Sequence, residues 1–223
     1  MRLELKFFCP SPKTKERAVE LWQITFDERN VMRQQSKIDV YMNEYPVFSA
    51  FNGLMIELDF TMLMPSAKKF AEEFESIKPK ILQIYHDAYL NISNDVLRTF
   101  ALIRKQNPTR GVKRTKDAIQ GRENPLKGII EPLQPDDPFP ANTNLDVPVL
   151  YTKPNCGTIL WKNCRVDIDG DILKNIELFF KFYYFINVTS QLADKQFFLF
   201  IMARLFGVGN FSTTGEKFIR SLQ

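Results

Sequence analysis

Histidine is nearly missing from this chain of 223 residues, which contains only His86. Histidine is the most frequent general acid or base in enzymes, and zinc sites need His or Cys ligands at short spacings. The three cysteines, Cys9, Cys156 and Cys164, form no such pair and are odd in number. We therefore expect no zinc site and no disulfide framework, but free thiols in an intracellular protein, cytoplasmic or nuclear.

Long apolar runs are also lacking. The two most apolar stretches, 178–188 and 197–206, are shorter than the ~20 residues that a membrane-spanning helix needs, and Lys181 and Arg204 interrupt them. The first ten residues alternate charged and apolar side chains and have no signal-like hydrophobic run. The sequence therefore predicts no export and no membrane span.

Motifs for nucleophilic catalysis and for phosphate binding are missing as well. Gly207-Val208-Gly209 follows a predicted helix rather than a strand, so it marks a helix end. Three alternating aspartates resemble the start of a calcium loop, but Ile172 and Leu178 stand where that loop needs Gly and Glu. Helix capping explains these acids more simply, and a Mg²⁺-dependent hydrolase is the least favoured alternative. The three alternating aspartates are Asp167, Asp169 and Asp171. We predict no enzyme, no metal and no cofactor.

What the chain does contain is core-forming material. Apolar residues make up 44% of it, and its twenty phenylalanines are concentrated toward the C-terminus. This composition predicts a globular protein with a tight aromatic core. The fold class predicted is α+β, mainly helical, with a C-terminal β-hairpin packed on aromatic helices.

Three parts follow from the pattern along the chain. Residues 1–106 are predicted to form an N-terminal helical part, 107–146 a Pro-rich basic linker or loop, and 147–223 a hairpin followed by helices, with an interface between the two folded parts. The first element is predicted to be a strand, at 2–8, because charged and apolar residues alternate there. Helices are then predicted at 13–35 with a continuation to 43, at 52–64, at 67–77, from Pro79 to Tyr89, and at 95–106 with Asn94 or Ser93 as its cap. The second half is predicted to have strands at 147–151 and 158–168, and helices at 172–184, 192–206 and 214–222.

One segment concentrates positive charge. Between Arg98 and Lys127 there are nine Lys/Arg and two acids, a net charge of 9 − 2 = +7, whereas the whole chain is +4. The remainder is therefore 4 − 7 = −3. Such a stretch neutralises phosphates without reading sequence, and no aromatic residue lies between Lys105 and Glu131 to stack on bases. The simpler interpretation is a solvated basic loop.

Two blocks of sequence resemble a known group of proteins. The first block is Thr-Phe-Asp-Glu-Arg at 25–29 with Tyr-Pro-Val-Phe at 45–48 and the helix around 57–60, and the second is the hairpin at 158–167 with the helices at 176–185 and 197–205. In this order they resemble the C-terminal region of animal proteins, many from fish, of the sterile alpha motif domain-containing-like kind. That resemblance implies an adaptor or regulatory role and no enzymatic activity, and it supplies no site residues.

Two functions stay open at this point. The first is a non-enzymatic protein-interaction or adaptor module, with a protein partner or self-association. The second is nucleic-acid binding by the basic segment 98–127. Its candidate binding residues are Arg104, Lys105, Arg110, Lys113, Arg114, Lys116 and Arg122.

Overall fold

Helices make up most of the fold, which confirms the α+β, mainly helical class. The structure, a computed structural model, describes residues 2–35, 38–108, 124–141, 145–186 and 194–222. Within these ranges the helices are α1 (Arg2–Lys6), α2 (Lys15–Ile24), α3 (Phe26–Gln35), α4 (Ile38–Glu44), α5 (Leu54–Leu63), α6 (Phe70–Ile84), α7 (Asp95–Gln106), α8 (Ile172–Ile186), α9 (Lys195–Leu205) and α10 (Thr213–Ser221). The strands are β1 (Ile130–Pro132), β2 (Val149–Thr152), β3 (Cys156–Trp161) and β4 (Cys164–Asp169). No helix in the described ranges has the length and apolarity to cross a membrane.

The predicted strand at 2–8 is wrong, because this segment forms helix α1. Leu5 is fully buried, whereas Leu3 and Phe7 are exposed, so the three do not share one face as a strand requires. On a helix, residues four apart lie on the same side and a residue midway between them points away. The alternation of so short a run fits both structures, and the burial of Leu5 in the core decides between them.

The predicted helix at 13–35 forms as two helices. α2 and α3 meet at Thr25, whose hydroxyl donates to the carbonyl of Leu21 over 2.7 Å. A threonine that bonds back to the preceding turn in this way favours a bend in the helix.

A single helix, α6, replaces the two helices predicted on either side of Pro79. Proline has no amide hydrogen, so the carbonyl of Glu75 loses its partner within the helix. Both residues are exposed, and water can take the place of the missing donor. The helix stops at Ile84 rather than near Tyr89, which has a φ of +55° and is therefore outside helical geometry.

The predicted hairpin forms between β2 and β3, which pair antiparallel from Val149↔Leu160 to Thr152↔Gly157. The strand predicted at 158–168 is divided in two. Lys162 and Asn163, with φ of +41° and +65°, turn the chain from β3 into β4. On the other side β1 pairs parallel with β2, in the order β1-β2-β3-β4. Because β1 comes from the segment predicted as a linker, part of 107–146 belongs to the sheet.

α8 lies at the centre of the core. Phe182 approaches Trp161 of the sheet and Phe48 of the N-terminal part, each at 6.2 Å between ring centroids. Gly53, with a φ of +79°, lets the start of α5 lie close to α8, because a Cβ at this position would be only 2.2 Å from Leu178 Cδ2. One cluster of buried apolar residues contains members of both predicted parts, so they share a single core.

Candidate functional site

Arg104 is the first of the predicted nucleic-acid-binding residues, and the structure gives it an internal role. It projects from the last turn of α7, a helix that begins at the predicted cap, where Asn94 Oδ1 accepts from the amide of Leu97 over 3.1 Å. The guanidinium of Arg104 binds both carboxylate oxygens of Asp194 over 2.8 Å each. Both side chains are about one-fifth exposed (19% and 24%). A two-point pair of this kind fixes the direction of the arginine as well as its charge.

The same guanidinium holds together the chain on either side of 109–123. Arg104 also donates to the carbonyls of Pro125 and Lys127, the latter over 3.2 Å. The end of α7 and the chain before β1 are therefore attached at one place, and Asp194 ties both to the start of α9.

The other Lys and Arg residues of the basic segment 98–127 differ in their surroundings. Lys105 is half-buried and has an interaction partner within the protein. Lys127 of the basic segment is exposed. Arg98 donates to the carbonyls of Ala88, Tyr85 and His86, so it organises the turn after α6. Arg110, Lys113, Arg114, Lys116 and Arg122 lie outside the described residues.

A buried polar cluster that the sequence did not predict joins α3 to α5. The guanidinium of Arg29 binds both carboxylate oxygens of Asp59 over 3.0 and 3.1 Å, and each residue is 1% exposed. It also donates to Tyr41 Oη over 2.8 Å and to the Trp22 carbonyl over 2.5 Å. The guanidinium carbon lies 3.5 Å from the centre of the Trp22 ring.

This cluster provides the polar partners that a buried charge requires. Arginine stays protonated in proteins, and the paired carboxylate, the hydroxyl, the carbonyl and the ring face replace the water that it loses. Burial, and then the charge of Asp59, raises the pKa of Tyr41, which keeps its hydroxyl protonated. At 1% exposure neither charge meets solvent, so the cluster stabilises the packing of α3 on α5. Its sequence signal is that Arg29 and Asp59 each fall on the apolar face of a helix, near Trp22 and near Ile56.

The three aspartates do not converge. Asp167 pairs with Arg165 on the outer face of β4, Asp169 accepts from the amide group of Asn52, and Asp171 accepts from the Lys174 amide in the first turn of α8. In the part of the chain that the structure describes, no three His, Cys, Asp or Glu residues are placed to hold a metal ion. His86 is exposed, in the turn after α6, and pairs with Asp87 at 3.0 Å.

Among the described residues, the most exposed large apolar side chains lie on α1 and directly after its last residue. Leu3 is 70% exposed and Phe7 81%; we call these two residues the α1 apolar pair. Their helix is attached to the body at three points. Leu5 is fully buried, Glu4 accepts from Arg17 through both carboxylate oxygens over 3.1 and 3.2 Å, and Lys6 pairs with Glu44.

Comparison with known proteins returned no match: neither a protein-family model, nor a curated protein, nor a solved structure matches this chain. The resemblance to sterile alpha motif domain-containing-like proteins stays a prediction.

Proposed function

We propose that this chain is a non-enzymatic protein-interaction or adaptor module, and that the α1 apolar pair is its main contact with a protein partner. The observation that carries the proposal is that α1 is fixed by its buried Leu5 and by two ion pairs while Leu3 and Phe7 point outward. The adaptor role implied by the family resemblance agrees with it.

Exposure of such a pair has a physical meaning. Removing a leucine or phenylalanine side chain from water is worth about 1.5–3 kcal/mol, and the fold leaves both side chains mostly in water. Binding hot spots are few, large and apolar or aromatic side chains that fill a pocket of the partner. Because α1 is already held in place, a partner has little helix-ordering entropy to overcome.

Changing both residues to serine (Leu3→Ser with Phe7→Ser) will abolish partner binding, Leu3→Ser alone will weaken it about tenfold, and neither change will alter stability. Both side chains are exposed, so their removal creates no cavity, and the expected shift in free energy of unfolding is within about 0.5 kcal/mol. The measurement places a photo-reactive benzophenone side chain at position 7 of the full chain, in an extract of the expressing cells. A discrete protein adduct should form and should weaken about tenfold when Leu3→Ser is added.

The control carries the same photo-reactive group at Leu90, which is 66% exposed and lies in the turn after α6. An adduct from position 7 that is absent at position 90 and that weakens with Leu3→Ser supports the proposal. Identical adducts at both positions, or an adduct at position 7 that Leu3→Ser leaves unchanged, would contradict it.

Nucleic-acid binding is the second candidate. The observation in its favour is the Arg104 attachment, which brings the chain before and after 109–123 to one place on the surface. Five of the predicted cations belong to that stretch of the sequence. Against it, the guanidinium groups of Arg98 and Arg104 are occupied by internal contacts.

If this second function is real, affinity for a fluorescent duplex will fall steeply with added salt, because phosphate neutralisation releases counterions. Reversing three charges (Lys113→Glu, Arg114→Glu, Lys116→Glu) should then reduce affinity by about a hundredfold or more at low salt. The matched control reverses three exposed lysines elsewhere, Lys80, Lys162 and Lys217, and so has the same net charge. Equal titrations for the two triple variants would exclude a basic-segment site.

A further inference from the structure

Two lysines belong to a turn that is hydrogen-bonded to the chain just after the α1 apolar pair. Lys13 and Lys15 flank Thr14, whose hydroxyl donates to the carbonyl of Cys9 over 3.3 Å, two residues after Phe7. Thr14 is fixed further by Ser11, whose amide donates to its hydroxyl over 2.9 Å. This turn therefore holds both lysines next to the end of α1.

Their charges are available to a partner. Lys13 and Lys15 are exposed, and neither forms an ion pair with another described residue. Two nearby cations are compensated, since Lys6 pairs with Glu44 and Arg17 with Glu4 and Glu20.

The local charge balance is positive. One exposed acid, Glu16, directly follows Lys15 in the sequence and offsets one of the two lysines. Across residues 2–20, with Glu44 included because it pairs with Lys6, there are five Lys/Arg and four Glu, a net charge of 5 − 4 = +1, while the chain outside the basic segment sums to −3. The surface around Leu3 and Phe7 is thus locally basic on an otherwise acidic body.

From this charge pattern we infer that the partner of the α1 apolar pair is an acidic protein segment, in which Asp or Glu residues flank large apolar side chains. The inference rests on the proposed function and adds the partner's chemistry to it. The apolar side chains of that segment cover Leu3 and Phe7, and its carboxylates meet Lys13 and Lys15. Charges at the rim of an apolar contact raise the association rate and exclude partners of like charge.

The test uses a random peptide library displayed on phage, selected on the immobilised full chain and depleted on the Leu3→Ser/Phe7→Ser variant. Enriched peptides should combine Asp or Glu with Phe, Leu or Trp, and their affinity should fall as salt is added. In fluorescence polarisation, Lys13→Glu with Lys15→Glu should weaken the best peptide about tenfold or more. The matched control, Lys80→Glu with Lys217→Glu, changes the net charge equally and should leave affinity within about twofold.

The outcomes separate this inference from the proposed function. Peptides that need Leu3 and Phe7 but have no acidic bias, or that ignore the lysine reversal, overturn the inference and leave the interaction module standing. If no selected peptide depends on Leu3 and Phe7, the result counts against both the inference and the proposed function. Two further results would also overturn the inference. If the chain binds vesicles of phosphatidylserine and phosphatidylcholine through Leu3 and Phe7, the occupant is a lipid surface. If it self-associates in sedimentation and the double serine variant abolishes this, the occupant is a second copy of the chain.

Discussion

Replacing Asp59 by asparagine will destabilise the protein by about 3–5 kcal/mol, the usual cost of leaving one charge of a buried pair without its partner. Arg29 stays charged, and no water reaches it to replace the lost carboxylate. Because whole-protein stabilities are about 5–15 kcal/mol, the loss is a large fraction of the total. Urea denaturation followed by circular dichroism measures it.

Two controls show whether the unpaired charge of Arg29 causes the loss of stability. Asp167→Asn removes a carboxylate from an exposed pair with Arg165, and an effect within about 0.5 kcal/mol is expected. The double variant Arg29→Met with Asp59→Leu removes both charges together and should be less destabilised than Asp59→Asn alone. An Asp59→Asn midpoint equal to that of the unmodified protein would show that the pair is not buried as described.

Replacing Phe180 by alanine will cost a similar amount, about 3–5 kcal/mol, through loss of buried area and creation of a cavity. Phe180 is fully buried on α8, with Phe198 at 5.2 Å, Phe197 at 5.6 Å and Phe100 at 6.1 Å between ring centroids. These neighbours come from α7 and α9, so the cavity opens where three helices meet.

The matched comparison is Phe7→Ala, the same chemical change at a side chain that is 81% exposed. Its effect on the free energy of unfolding should lie within about 0.5 kcal/mol. Phe180→Leu keeps most of the volume and should cost less than Phe180→Ala. Equal urea midpoints for Phe180→Ala and Phe7→Ala would contradict the assignment of Phe180 to the core and of Phe7 to the surface.

Local pattern predicted α7 and α8 well, because their signals are contained in their own residues. α7 has its asparagine cap and its apolar face within 94–106, and α8 has its aromatic periodicity within 172–186. α1 was missed because five residues of alternating character do not distinguish a strand from one turn of helix. β1 was missed because three residues inside a proline-rich stretch join a sheet only through their pairing with β2.

The candidate site was harder to predict, because its contacts join residues distant in sequence. Arg104 looks like a surface cation from its neighbours, and its partner Asp194 is 90 residues away. The residues of the Arg29–Asp59 pair are 30 apart in sequence, and no short-range sequence pattern predicts that they form a pair. The exposure of Leu3 and Phe7 depends on which side of α1 the core occupies, which the identity of Leu5 alone does not settle.

We propose that recognition takes place at the α1 apolar pair and that the buried charges only support the fold. The most direct measurement is backbone-amide NMR of the full chain, titrated with the best peptide selected against it. We predict that shift changes concentrate on α1 and on the turn around Lys13 and Lys15, and that the Leu3→Ser/Phe7→Ser variant shows none of them. Shift changes that leave α1 unaffected and lie in 98–127 would contradict the claim.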